Sequence, residues 1–417
     1  MTDRSPAPPS VLMVVDQLPF PPRNGVTLPT FHYADGLRKS CRLNLVLMAD
    51  EAQPFDQRSL AENEAIFGPI PVIRVRRKRK MVRAIDEVLA RDMFNQGWEL
   101  ASAPPSLMNC KADVLLASPF SAAAKWEATG LSRPEHFVCR IAAVSDCTAA
   151  EYHARHSQDF GSFRQWLKGR LDRVRSSRIA SVEGRTLAKY QHVSMQTATD
   201  RNLMRLLVGE RIAERVTLVP NGVRRDYFEV CPNPESNTCA FIAELSSEYA
   251  SIADWLVGEV WPAVVDELPD AKLLIVGKGA SAALGAAIRN ARNVEHITFV
   301  DDLRSVYANA AAAICPVFKG YGLINKALES MASGVPVIGG EAAFNGIEGF
   351  KVGIHGLVCR PRNTPEFVSA ICHVLTHREQ AAQVGRAGRS LIESQFRWER
   401  AVGTIEAMIS GRQRVDV

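Results

Sequence analysis

CPVFKGYGLINKALESMASGVPVIGG, residues 315–340, carries more structural information than any other part of the chain. Its apolar start closes at Pro316. Gly320 and Gly322 then bracket the entry to a helical run over 323–333, where Leu323, Ala327 and Met331 recur at helical spacing. Gly334 suits the left-handed residue that ends a helix, Pro336 blocks continuation, and a strand opens at 335–338. Strand, glycine loop, helix and strand make a βαβ unit whose loop leaves N–H groups facing an anion at the positive end of the helix. Glu329 stands seven residues beyond Gly322, which on a continuous helix is roughly 10 Å further on the same face. A phosphate at the glycines and a ribose diol at Glu329 would suit a nucleoside diphosphate, with Lys326 one turn nearer to offset its charge. An ordinary crossover also has glycines at such turns, so spacing alone leaves both readings open.

The same alternation runs outward in both directions. VLMVV at 11–15, LNLVL at 43–47, ADVLL at 112–116 and FVCRI at 137–141 read as buried strands. The loop DQLPFPPRNG follows the first of these and leads into a helix through His32 to Lys39. Two prolines, two asparagines and little periodicity mark 223–238 as a linker. Beyond it the pattern restarts, with strands at 239–242, 272–276 and 312–315 and a helix over 251–267. The expected architecture is α/β, two Rossmann-like domains facing a cleft. Its expected parts are a polar tail 1–10, a first domain 11–222, the linker 223–238, a second domain 239–393 and a closing segment 394–417. In such sheets ligands bind at the carboxyl ends of the strands.

Composition narrows the class. Of 417 residues 47% are hydrophobic and 23% charged, which excludes disordered, collagen-like and disulfide-scaffold chains. Lys plus Arg exceeds Asp plus Glu by 50 to 45, too mild an excess to imply nucleic acid. The nine cysteines, at 41, 110, 139, 147, 231, 239, 315, 359 and 372, form no CxxC pair and read as free thiols of a reducing compartment. MTDRSPAPPS at the start has no secretory pattern, and no apolar run reaches the ~18 residues of a spanning helix. The expected location is cytoplasmic, free or peripheral on the inner face of the membrane.

Glu329-Ser330-Met331-Ala332-Ser333-Gly334-Val335-Pro336-Val337-Ile338 resembles "EAMACGVPVV", the donor-site signature of family 4 glycosyltransferases, which have the GT-B fold. Other pieces follow in the family's order. Pro19-Phe20-Pro21-Pro22 with Gly25 is similar to its "P-P-P…G" loop, and Pro220-Asn221-Gly222-Val223 with Tyr227-Phe228 to its "PNGVD…F". Leu274-Ile275-Val276-Gly277 is similar to the nucleotide-facing "IVG" turn. Phe396-Arg397-Trp398 is similar to the "F-x-W" before a last helix that crosses back to the first domain. Trp255, Glu259-Val260-Trp261-Pro262 and Pro269-Asp270-Ala271-Lys272-Leu273 resemble the bacterial exopolysaccharide and lipopolysaccharide-type sugar transferases in particular. The likeness covers nearly the whole chain.

It implies a retaining, metal-independent transferase that moves a sugar from a nucleotide-sugar, UDP- or GDP-linked, to a glycan or lipid-linked acceptor, with no further cofactor. No DxD motif argues for a metal. On the same grounds Glu329 would hold the donor ribose, while Gly320, Tyr321 and Gly322 would supply backbone donors to the diphosphate or sugar. Gly277, Lys278, Leu323, Asn325 and Lys326 complete the implied donor set. Gly25 would let the first-domain loop come close to the donor phosphate. The base would be read by loops around a strand at 297–300.

Four positions depart from the family. The first of its two glutamates, eight positions apart, is Tyr321 here. Its basic "G-R-x…K" loop reads Ala243-Glu244-Leu245-Ser246-Ser247-Glu248, whose carboxylates would repel a diphosphate unless Lys326, Lys319 or Lys278 offset them. Its histidine after a middle strand is replaced by Ser145-Asp146, which makes Asp146 a catalytic candidate beside Lys326 and Glu329. An Asp after a strand is also a common helix cap. The aspartate of "NGVD" is Arg224. These departures raise an alternative, a catalytically silent GT-B homologue that binds a partner or a glycan. A sugar-nucleotide epimerase would need an acid–base set that is not evident.

Two basic stretches fit peripheral membrane contact. Arg74 to Arg83, RVRRKRKMVR, has seven basic residues in ten, and Arg164 to Arg178 interleaves Trp166, Leu167, Leu171 and Val174 with basic residues. Each is also compatible with a solvated surface. Neither resembles nucleic-acid recognition, since stacking aromatics are few. His153 and His156 lack the third ligand a metal site needs.

Overall fold

The computed structural model describes residues 7–53, 55–78, 97–131, 133–150, 177–318 and 322–411. The chain divides into two compact units, one formed by 1–220 together with 399–417 and the other by 221–398. All nine cysteines are free thiols.

In the first unit the described strands are β1 (Ser10–Val15), β2 (Arg42–Asp50), β3 (Val72–Arg77), β4 (Trp98–Ser102), β5 (Ala112–Ala117), β6 (Phe137–Ala143), β7 (His192–Met195) and β8 (Val216–Leu218). They form one sheet in the order β4-β3-β2-β1-β5-β6-β7-β8. Every pairing is parallel except β3 with β4. Val11 to Val15 are all buried, as a central parallel strand covered on both faces requires. β2 outruns the expected 43–47 because Met48, Ala49 and Asp50 continue into register with Ile73, Arg74 and Val75 of β3.

The helix Thr27–Ser40 packs against the last helix, Trp398–Ile409. Gly36 makes this approach feasible, since a Cβ there would come within 2.4 Å of the Val402 side chain. Ser40 Oγ donates to Glu406 Oε1 at 2.5 Å beside it.

In the second unit the described strands are β9 (Thr238–Ile242), β10 (Lys272–Val276), β11 (Val294–Ile297), β12 (Ala312–Cys315), β13 (Val337–Gly339) and β14 (Leu357–Val358). Their order is β11-β10-β9-β12-β13-β14, parallel throughout. Several elements differ from the sequence expectation. The helix expected over 251–267 begins at Ser247, runs to Trp255, widens into a π-turn at Leu256–Val260 and resumes as Trp261–Glu267. Pro262 lacks the N–H that would close a regular turn, and the wide turn precedes it. The strand expected at 297–300 is β11, which ends where that expectation began because its register with Leu273–Val276 runs out. Phe299 is left 63% exposed. The strand expected at 335–338 starts at Val337, since Pro336 has no N–H for the ladder.

Both sheets share one connectivity. The chain steps outward through β1, β2, β3 and the antiparallel β4, then returns to lay β5 beside β1; likewise it steps through β9, β10 and β11 before β12 returns beside β9. The returns create switch points at β1/β5 and β9/β12, where a parallel sheet opens a crevice at its carboxyl edge.

Candidate functional site

Three segments leave the carboxyl edge of the second sheet at adjacent strands: 243–246 after β9, 277–281 after β10 and 316–318 after β12. Gly277 locks the first two together. Its φ is +153°, and a Cβ on it would lie 1.7 Å from the Ala243 carbonyl oxygen. Around it Ala243 N–H donates to Val276 O (3.0 Å), Leu245 N–H to Lys278 O (2.7 Å) and Gly277 N–H to Ile297 O (2.9 Å). Lys278 and Glu244 are both exposed on this edge.

The helix after β12 spans Asn325–Ala332, two residues later than expected. Gly322 takes a left-handed φ of +71° and turns Leu323 into the core, so neither residue lies on the helix. Glu329 therefore stands one turn from the helix start, roughly 6 Å along the axis, and not two turns from Gly322. The N–H groups of Asn325 and Lys326, the first two of the helix, have no partner among the described residues. They and the helix dipole favour an anion there.

Glu329 is held on one side. Its Oε2 accepts from Lys326 Nζ at 2.8 Å and from the Tyr307 hydroxyl at 3.5 Å, while Oε1 has no partner among the described residues. The Glu329 side chain is 15% exposed and that of Lys326 38%. Lys326, expected as a free counter-charge to phosphate, is thus paired with the carboxylate one turn on. Asn325 Oδ1 accepts from Asn221 Nδ2 at 3.2 Å, which ties the Pro220–Val223 motif to this helix. Gly222 beside it admits the Trp398 backbone, whose nitrogen would be 2.3 Å from an added Cβ. Val223 N–H donates to Phe396 O at 2.7 Å. The "PNGV" and "F-x-W" pieces are thereby neighbours in space. Gly320, Tyr321 and Lys319 lie outside the described residues.

The first unit presents its own crevice at β1/β5. Gly25 sits in an exposed turn with nothing within 4 Å of an added Cβ. The loop before it is pinned by Asn63, a fully buried residue whose side chain accepts from Phe20 N (2.9 Å) and donates to Phe20 O (2.7 Å). Asn24 Oδ1 takes the N–H groups of Val26 and Thr27. At the end of β1, Asp16 is paired with Lys125 at 2.9 Å.

Asp146 is exposed, three residues past β6. The helix beginning at 148 is capped from elsewhere, since Thr148 and Ala149 N–H each donate to the Glu183 carboxyl at 3.0 Å. Glu183 is fully buried, and burial pushes its carboxyl up to about 7, with the charge of Asp146 adding to the rise. As pH climbs from the ordinary carboxyl range to about 7, the unfolded chain ionises Glu183 while the folded chain keeps it protonated. Stability therefore falls across that window by about 3 kcal/mol and levels off above it. The prediction is that wild-type protein loses stability relative to Glu183→Gln between pH 4.5 and 7.5. Urea midpoints at several pH values would measure it, and a constant difference between the two proteins would refute it.

Of the basic stretch 74–83, the described arginines are engaged within their own unit. Arg74 lies over Phe55 (5.0 Å), Arg76 pairs with Glu99 (2.8 Å) and Arg77 covers Trp98 (4.0 Å). Residues 79–83, 164–176, His153 and His156 lie outside the described residues. Among the described residues no helix is long and apolar enough to cross a membrane, and no group of three His, Cys, Asp or Glu could hold a metal ion.

Comparison with known proteins agrees with this architecture. The chain resembles Anabaena Alr3699/HepE solved with UDP (TM-score 0.65, 13% identity, 96% of this chain and 100% of that one). It also resembles sucrose-phosphate synthase of Thermosynechococcus elongatus (TM-score 0.62, 14% identity, 96% and 98%). The fold is therefore that of the GT-B glycosyltransferases. Residues 236–377, within the second unit, match the family model described as "Glycosyl transferases group 1". A curated relative, the GDP-mannose-dependent alpha-(1-6)-phosphatidylinositol monomannoside mannosyltransferase of Mycobacterium tuberculosis, is 26% identical over 164 residues. That match takes in 36% of this chain and 42% of the relative, so it spans less than half the relative's length.

Proposed function

We propose that this protein is a retaining, metal-independent glycosyltransferase that moves a sugar from a UDP- or GDP-linked donor to a glycan or lipid-linked acceptor. The observation that carries the reading is Glu329 at the β9/β12 crevice, with one carboxylate oxygen clamped and the other, like the helix N-terminus beside it, without a partner among the described residues. A vicinal diol suits the open oxygen, and a diphosphate one turn nearer suits the N–H groups of Asn325 and Lys326 with the Lys326 ammonium. In transfer, the bond from the anomeric carbon to the diphosphate breaks and the diphosphate leaves with the electron pair. The acceptor oxygen bonds that carbon and gives its proton to the departing diphosphate. Charge then grows on the departing diphosphate, where a preorganised helix end and a lysine stabilise it. HepE was solved with UDP, and the mycobacterial relative is named for a GDP-linked donor, which motivates testing both bases. We place the protein in the cytoplasm or on the inner membrane face, where the basic stretch 74–83 or 164–178 would supply a peripheral contact.

A thermal-shift panel in EDTA with UDP, GDP, ADP and CMP tests this. A ligand at a hundred times its Kd stabilises the fold by about 2.7 kcal/mol. One diphosphate is expected to raise Tm in wild type and not in Glu329→Ala. If none does at millimolar concentration, the reading fails in favour of a silent homologue, for which the Glu244 carboxylate in the 243–246 loop speaks.

A further inference from the structure

Tyr307 lies near the end of the helix Leu303–Ala308, on a different crossover from Glu329, yet it meets that residue in space. Its side chain is fully buried among Tyr227, Val306, Ala327 and Met331. A phenol buried in this way needs a partner for its hydroxyl. Burial first, and the Glu329 carboxylate second, push the phenol well above its ordinary range, so it remains a donor at any working pH. Ser330 is also within hydrogen-bonding reach of it. The Ser330 hydroxyl, however, donates to Lys326 O at 2.6 Å, so it offers Tyr307 only a neutral lone pair. Between a hydroxyl and a carboxylate, a phenol O–H favours the charged acceptor. Both donors to Glu329, the Lys326 ammonium and the Tyr307 hydroxyl, fall on Oε2.

We propose that Tyr307 is a positioning residue for Glu329: with Lys326 it fixes the rotation of the carboxylate and reserves Oε1 for the vicinal diol of a nucleoside diphosphate. The inference rests on the donor-site reading above and extends it, because Tyr307 is too buried to touch a ligand itself. Its signature is selective. Losing the hydroxyl weakens recognition of the diol and leaves recognition of the diphosphate unchanged.

The test is calorimetric binding of UDP and GDP, each beside its 2′,3′-dideoxy counterpart, to wild type, Tyr307→Phe and Tyr227→Phe. Tyr227 is a second buried phenol, 6.0 Å from Tyr307 ring to ring, with no hydrogen bond to Glu329. Wild type is expected to prefer the ribonucleotide of one base. At 3.5 Å the Tyr307 bond is at the long end of the range, so Tyr307→Phe should weaken the ribonucleotide about fivefold. It should leave the dideoxy form unchanged, with the unliganded Tm within about 2 °C of wild type. Tyr227→Phe should retain the full preference. Equal weakening of both forms by Tyr307→Phe, or an intact preference, overturns the positioning role while the donor site stands. If wild type binds none of the nucleotides, the donor-site reading falls and takes this inference with it.

Discussion

Replacing Glu329 by alanine is expected to lower kcat/KM for the nucleotide-sugar by about 100-fold or more. Hydrogen bonds to a charged group contribute about 1.5–3 kcal/mol each, and a diol offers two. Removing both costs roughly 3 kcal/mol or more of transition-state stabilisation, since the ribose anchors the leaving diphosphate. The substitution also frees Lys326, whose pair with Glu329 is partly exposed, and the buried Tyr307 hydroxyl, which keeps Ser330 within reach, so folding stability should change by no more than about 1–2 kcal/mol. Glu329→Gln keeps the shape and one acceptor, and an intermediate loss of about tenfold is expected. Steady-state kinetics beside unfolding curves separate the two effects. A kcat/KM within threefold of wild type in Glu329→Ala would show that the carboxylate does not serve the reaction.

The second large effect concerns folding. Gly277→Ala should destabilise the second unit by about 3–5 kcal/mol, from two sources. An L-residue is strained at φ +153°, and the new methyl would occupy the Ala243 carbonyl oxygen, 1.7 Å away. Relief requires the 243–246 loop to move off β10, which breaks the bonds from Ala243 N–H to Val276 O and from Leu245 N–H to Lys278 O. A Tm fall of about 10 °C is the expected result for a unit of this size. Gly25→Ala is the contrasting substitution, since its Cβ meets nothing and its φ is ordinary. A Gly277→Ala protein as stable as wild type would mean that the 243–246 loop is not anchored at Gly277.

Strands at the centre of each sheet were legible in the sequence, since 11–15, 273–276 and 312–315 are continuous apolar runs. β11 was not, because VEHI alternates as an edge strand does while the more apolar ITFV next to it is partly outside the sheet. β3 and β4, reading VIRVRR and WELAS, were hidden by their charges. At the site, Asn325, Lys326 and Glu329 are close in sequence and stand on one helix, so periodicity could group them. Tyr307 and Asn221 join that group only through the fold, 22 and 104 residues from their partners. Asn63 and Glu183 likewise hold loops far from them in sequence, and a single polar residue in a helix gives no local sign of that task.

The return of the last helix to the first unit has a consequence for how the protein is made. Gly36 waits for Val402, and between them the ribosome must deliver the whole of the second unit. At about 5–20 residues per second, the ~180 residues from Asn221 to Trp398 take roughly 10–35 s to synthesise. Throughout that interval the face of the Thr27–Ser40 helix around Gly36 lacks Val402, although every described strand of its sheet has already been synthesised. The second unit is continuous in sequence and can mature in one pass. The part made first is therefore the part completed last, and it is during translation that a chaperone would find the bare helix face.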